Sequence, residues 1–392
     1  MAEKMLEVSG AEFRRALEFI HKVSKSFGSG YYSGIATLEV INSSLRLTTT
    51  DGECIATYEI SNVNAPNMEI PQPIHFPSKA IQLLEKKNAG STFISFHETF
   101  MTIHVSDDEE WNIPYSSIEP PIPTVEERER KLTFKILSGK RMTSFLRVAP
   151  LFVGKSSSLG KPAVCFHLQG NKMTVAVTST VHMLVDMLEI ECDNPMDEKV
   201  IVPLSYLKGI YSFDEPQEFI LTDENVSLTV RGEQWSLTFP LLYPDHVVIN
   251  YDRPIQRLNG LEQSVFAFNR SQLLEAVTKM EAAATISGFP LSASAGIKPL
   301  IEFSSTSHCD MKVLSIEGNV IGRKGIRVDV VKGEKLPQFY LNLKYLRDGL
   351  SAINSSQILL TSFYDPAQNY WTAISISTPD DERQVYIATM RP

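Results

Sequence analysis

The chain has 392 residues, 43% apolar and 21% charged, with 46 acidic residues against 37 basic ones for a net charge of −9. Such a balance fits an ordinary globular protein of roughly two to four domains and, taken alone, argues against a basic nucleic-acid module. No apolar run approaches the roughly 18 residues that a membrane helix requires.

One unit of about 130 residues is written three times. Each copy opens with a short apolar strand and an amphipathic helix, then carries a second short helix followed by strands. A unit of this size can bury its own core, so each copy is expected to be a domain: 1–128, 129–256 and 257–392. A chain that repeats whole domains usually builds something symmetric.

In the first copy, Leu6-Glu7-Val8 leads into a helix over 11–26, where Phe13, Leu17, Phe19, Ile20 and Val23 recur at helical spacing. Strands are expected at Gly34–Val40 and Leu45–Thr49, with a tight turn at Asp51-Gly52. A second helix follows over 77–87, then strands at Thr92–Phe96, Met101–Val105 and Trp111–Tyr115. The acidic run Asp107 to Glu110 sits between two alternating strands and reads as a solvated hairpin tip. Pro and charge mark Ile118–Lys131 as a linker.

The second copy repeats the plan. Its helices are placed at 138–152, with Pro150 ending or kinking the first, and at 203–213. Strands are expected at Ala163–Leu168, Met173–Val177, His182–Ile190, Glu218–Thr222, Val226–Val230 and Trp235–Phe239. Trp235 occupies the place of Trp111. Residues 250–260 read as the second linker. The third copy has helices at 269–284 and 342–353, strands near Leu300–Ser304, Met311–Gly318 and Gly325–Val331, and a closing strand at Val385–Met390. Two helices against antiparallel strands per domain make the class α+β.

Charge is sorted by element type. The six expected helices hold 15 Lys and Arg against 6 Asp and Glu, a net +9, which leaves −18 for the rest of the chain. Helix propensity alone would favour Glu as well as Lys and Arg, yet Glu is scarce in these helices.

Nothing in the sequence recommends catalysis. The eight histidines show no metal-binding spacing. The segment Gly154 to Lys161 has one residue too many for a phosphate loop, and Pro162 stands where the magnesium-binding hydroxyl belongs. Cys54, Cys165, Cys192 and Cys309 form no Cys-x-x-Cys pair and read as reduced thiols. With a charged start from Met1 to Glu7 that lacks a secretory core, they point to a cytoplasmic location.

Several stretches, in order and at the repeat spacing, resemble the β subunit of bacterial DNA polymerase III, the sliding clamp. They are Leu47 to Glu53, Val200-Ile201-Val202-Pro203, Tyr243-Pro244-Asp245, Phe339 to Leu346 and Met390-Arg391-Pro392. The resemblance covers nearly the whole chain and implies three similar clamp domains forming half of a six-domain ring. Two protomers would join head to tail, with helices lining a hole and sheets outside. It implies no catalysis and no cofactor, a cytoplasmic, nucleoid-associated protein away from membranes, and sequence-independent, salt-sensitive contact with duplex DNA.

The cations that would face phosphates are Arg14, Arg15, Lys22, Lys25, Lys79, Lys86, Lys87, Lys140, Arg141, Arg147, Lys208, Arg270, Lys279, Lys344 and Arg347. The resemblance also implies a pocket that takes short peptides, with a Gln and a hydrophobic tail, from the replicative polymerase, clamp loader and repair factors. Matching positions are Ser179, His182, Leu184, Pro244, Ile249, Asn342 and Tyr345, with Tyr386, Ile387, Ala388, Thr389, Met390 and Arg391 of the tail. At the ring seam, Trp111 and Ile113 would meet Ala283 and Ala284. The sequence departs from the family at Thr180-Val181, usually Asp-Gly, at Met183, usually Arg, and at Thr389, usually Pro, as a divergent member would. The alternative reading is a clamp-derived peptide-binding scaffold that does not encircle DNA.

Overall fold

The computed structural model describes the chain except for residues 1–4, 28–29, 42, 62, 65–72, 85–89, 107, 122–129, 154–161, 180, 195–196, 211–215, 217, 223–226, 242–249, 287–296, 316, 380 and 391–392. Contacts divide it into two compact units, one of 1–146 with 189–244 and one of 147–188 with 245–392. The chain passes between the units after Leu146, after Pro244 and, inside the second repeat, within the long strand His182–Cys192. The start of that strand pairs with the closing strand Asp381–Ala388, and its end pairs with Arg130–Ile136.

In the first unit, helix α1 (Gly10–Ser26) starts where the Ser9 side chain accepts from the Glu12 amide. It buries the expected face, Phe13, Leu17, Phe19, Ile20 and Val23. α1 packs on α3 (Leu204–Ile210) and on a 3-10 turn at Ser78–Leu83. That turn stands where the sequence suggested a helix over 77–87. Pro77 sets its start, and Leu84 is already extended, so no full helical turn beyond it accumulates.

Below the helices, antiparallel strands of the first and second repeats join edge to edge. Trp235–Pro240 pairs with Ile55–Ile60, placing Trp235 opposite Tyr58 and 5.2 Å from Phe19 between ring centroids. A separate four-stranded sheet runs in the order Leu6–Ser9, Ser91–Phe96, Phe100–Ser106, Glu109–Pro114. The turn at Asp51-Gly52 forms as expected. Asp51 Oδ1 accepts from the amides of Glu53 and Cys54, and Gly52 has φ +99°, where a side chain would be strained.

α2 (Gly139–Val148) gives way to a 3-10 turn at Ala149–Phe152 as Pro150 enters. In the second unit, α4 (Asp252–Asn259) occupies the segment read as a linker. α5 (Arg270–Ile286) packs on α6 (Leu343–Ala352) and on the strand Val320–Arg327. The expected strand Gly325–Val331 is two strands that part at the buried Val328. Up to Arg327 the chain pairs with His308–Ser315, and from Asp329 it pairs with Glu262–Asn269, so it changes sheets there.

Arg383 and Asp186 pin the closing strand to its neighbour. Both are buried. The Arg383 Nε donates to Asp186 Oδ2 at 2.8 Å, and its Nη1 donates to the carbonyl of Ala352 at 3.1 Å. No described helix is long and apolar enough to cross a membrane.

Candidate functional site

In the second unit, four elements surround a cleft of about 600 Å³: the start of the His182 strand, Tyr370–Thr378, the closing strand and α4. It falls within the size range of ligand pockets. Ser179, His182, Tyr386, Ile387 and Ala388, all expected there, line it.

The His182 ring is held on every side. Its Nε2 donates to the Leu151 carbonyl at 2.9 Å, and its Nδ1 meets the Ser179 hydroxyl at 2.6 Å. Because a carbonyl only accepts, Nε2 carries the proton and Nδ1 of the neutral ring accepts from Ser179. Tyr345 stacks on one side at 4.4 Å and Phe152 leans on the ring at 4.9 Å. Burial holds its pKa below the usual histidine value, overriding the opposing pull of the Leu151 carbonyl and Asp348. His182 is therefore a rigid, neutral wall. Beside it, burial pushes the Tyr386 hydroxyl up to about 12, and the hydroxyl donates to Gln384 Oε1.

Other expected positions serve the scaffold. Leu184 is fully buried in the strand behind the cleft. Asn342 caps α6, its side chain accepting from the Lys344 amide at 3.0 Å. Thr389 donates to the Trp371 carbonyl, and Met390 bridges to Tyr340. Pro244, Ile249 and Arg391 lie outside the described residues.

Sequence reasoning missed the α4 wall, with Arg253, Pro254, Arg257 and Leu258. Its signals were present: Asn250, whose Oδ1 accepts from the Arg253 amide at 3.1 Å, Asp252 and Pro254 in the first turn, and Gly260 at the end. They read as loop punctuation because α4 buries none of its residues.

The cations divide into two groups. Arg15, Lys25, Lys79, Lys140, Arg147 and Lys344 are exposed. Lys140 and Arg147, seven residues apart, share one face of α2. Others are engaged within the fold. Arg14 donates to the Leu84 carbonyl and Arg270 to the Leu350 carbonyl. Lys22 pairs with Glu18, Lys279 with Glu275, and Arg347 with the buried Glu281. Arg141 is half-buried. Lys86, Lys87 and the side chain of Lys208 lie outside what is described.

Two sheet edges stand open among the described strands. Glu109–Pro114 pairs only with Phe100–Ser106, and Val320–Arg327 only with His308–Ser315. On the first, Trp111 is 39% exposed while Ile113 is buried in its own sheet. Near the second, Ala284 is a buried residue of α5. Ala283 lies so close to the strand that a methyl at Gly322 would stand 3.4 Å from it. Ile113 and Ala284 thus support these edges from behind. Charge separates the edges too: Glu109 and Glu110 lie on one, Arg323, Lys324 and Arg327 on the other.

No family model matches the sequence, and no curated protein matches it. Solved structures do match across its length. The DNA polymerase III subunit beta of Pseudomonas aeruginosa aligns with 99% of this chain and 100% of its own, at TM-score 0.78 and 16% identity. The DNA polymerase sliding clamp of Caulobacter crescentus aligns over the same shares at TM-score 0.75 and 16% identity. A sliding clamp from Bartonella birtlesii, solved bound to griselimycin, aligns over 100% of both chains at TM-score 0.75 and 15% identity. The chain has the three-domain fold of these clamps, of mixed helix and antiparallel sheet.

Proposed function

We propose, from the sliding-clamp fold, that this chain is a DNA sliding clamp: a non-catalytic, head-to-tail homodimeric ring of three domains per protomer, bounded at 1–128, 129–256 and 257–392, that encircles duplex DNA and tethers a polymerase and other factors. The observation that carries this reading is the sorting of charge. The six described α-helices hold 14 basic residues against 6 acidic ones, and the 3-10 turn at Ser78–Leu83 adds Lys79, in a chain of net charge −9. Cationic helices turned toward a polyanion hold it without reading its sequence. A closed ring can keep its grip by topology while each phosphate contact stays weak.

The cleft is the tethering site in this reading, an apolar-walled groove for a short peptide. Tyr386, Ile387 and the His182–Tyr345 stack offer burial, and the griselimycin bound to the Bartonella clamp supports a ligand-accepting surface on this fold. Ring closure brings the acidic edge Glu109–Pro114 of one protomer to the basic edge Val320–Arg327 of the next, with Trp111 at the contact, a heterologous pairing that closes after two copies.

The cations engaged inside the fold, Arg14, Arg270 and Arg347, favour a second reading in which the chain is a peptide-binding scaffold that does not encircle DNA. Fluorescence anisotropy on a sequence-random duplex separates the two. A clamp binds weakly, with an affinity that falls steeply as salt rises, and loses binding when Lys140, Arg141 and Arg147 are all replaced by Glu. Binding unchanged in that variant, or absent in the parent at low salt, leaves the scaffold.

A further inference from the structure

The helices of the three repeats do not carry charge alike. α2 and α3 hold Lys140, Arg141, Arg147 and Lys208 and no acidic residue. α5 and α6 hold four cations as well, Arg270, Lys279, Lys344 and Arg347, but set Glu275, Glu281 and Asp348 among them. Each of these four cations has an answer inside the fold. Arg270 Nε donates to the Leu350 carbonyl at 2.8 Å, and Lys279 pairs with Glu275 one turn before it. Lys344 and Arg347 both offset the rise that burial imposes on the Asp348 carboxyl.

Arg347 is the cation held from a neighbouring helix. Its Nη1 donates to Glu281 Oε2 at 2.7 Å, joining α6 to α5. The guanidinium is 41% exposed, whereas Glu281 is buried and its Oε1 meets no donor among the described residues. Asp348 is buried nearby with its Oδ2 in the same condition, so two buried carboxylates face one guanidinium. A buried ion pair contributes little net stability, because desolvation offsets its attraction. What this pair does is cancel the charge of Arg347 at hydrogen-bond distance.

We infer that Glu281 is an internal competitor for Arg347, a brake that keeps this arginine from gripping duplex phosphate and leaves the helices of the third repeat a near-neutral part of the DNA track. The inference rests on the clamp reading above. Neutralising a phosphate and releasing its counterion takes a net cation, and Arg347 with Glu281 is none. The grip then belongs to the first two repeats, where Lys25, Lys79, Lys140 and Arg147 are exposed.

The test measures the full-length chain on a fluorescein-labelled, sequence-random duplex by fluorescence anisotropy, between about 50 and 200 mM salt. Glu281→Gln should tighten binding about three- to tenfold at the low-salt end and steepen the slope of log affinity against log salt by about 0.9 for each Arg347 released. Glu281→Met, which offers Arg347 no carbonyl oxygen, should give at least the same gain by a second route. Adding Arg347→Gln to Glu281→Gln should abolish both the gain and the extra slope, which a mere loss of negative charge near the DNA would not do. Circular dichroism and the unfolding midpoint should show each variant folded. A parental slope in both Glu281 variants, or a gain that survives Arg347→Gln, overturns the brake while leaving the clamp standing. Absence of duplex binding by the parent and the variants alike at the low-salt end overturns the clamp reading and the brake together.

Discussion

His182 sits at the junction of packing, protonation and the cleft. Burial holds its pKa below the ordinary 6.5, and His21 and His75 are lowered by burial in the same way. Below pH 6.5 the unfolded chain takes up protons on these rings while the folded one does not, so stability falls as pH drops toward their folded values. Glu281 and Asp348 are raised by burial and act with the opposite sign, gaining stability as pH falls through their folded values. Urea midpoints measured downward from pH 7.5 should therefore decline first through the histidine range, and His182→Gln should flatten that decline. A decline of the same size in the parent and in His182→Gln would contradict the assignment of His182 as a neutral, carbonyl-bound ring.

The buried pair Asp186–Arg383 makes a second residue-scale prediction. Arg383→Met leaves the Asp186 carboxylate buried without its partner and should cost about 3–5 kcal/mol of unfolding free energy. The double change Asp186→Leu with Arg383→Met removes both charges and should recover most of that loss. Equal losses in the single and double variants would mean that packing, not charge, holds the closing strand.

At the scale of elements, legibility followed periodicity. α1 and the alternating strands were readable because about half their residues are buried at the spacing of their own geometry. α4 was not, since a helix that buries nothing leaves no apolar stripe to find. Trp111 and Trp235 share a place in the repeat, yet one is 39% exposed and the other 4%. The sequence cannot separate them, because the difference lies in what pairs beside each strand. Trp235 has Tyr58 as its neighbour across the sheet join, while the Trp111 strand has an open side. Likewise, the cleft residues on the His182 and closing strands were legible through resemblance, whereas the capping role of Asn342 and the Leu151 carbonyl on His182 depend on contacts across the fold.

The open edges carry their own prediction. Reversing Lys324 and Arg327 to Glu should place like charges against Glu109 and Glu110 of a second copy and weaken self-association, read by sedimentation velocity. Adding Glu109→Lys and Glu110→Lys should restore it. Failure of the second pair to rescue the first would remove the charge pairing from the seam.

At the scale of the whole molecule, three repeats were visible in the sequence, and the three-domain clamp fold answers to them. The grouping of contacts was not visible. The second repeat is divided between two compact units because one long strand pairs at its start with the closing strand and at its end with Arg130–Ile136. Such a division is set by long-range strand pairing, which local pattern does not encode. The account as a whole depends on two copies closing into a ring, and light scattering coupled to size-exclusion chromatography at micromolar concentration tests that most directly. A mass near twice the 43.9 kDa of one chain is predicted. A single-chain mass throughout the micromolar range would contradict the ring.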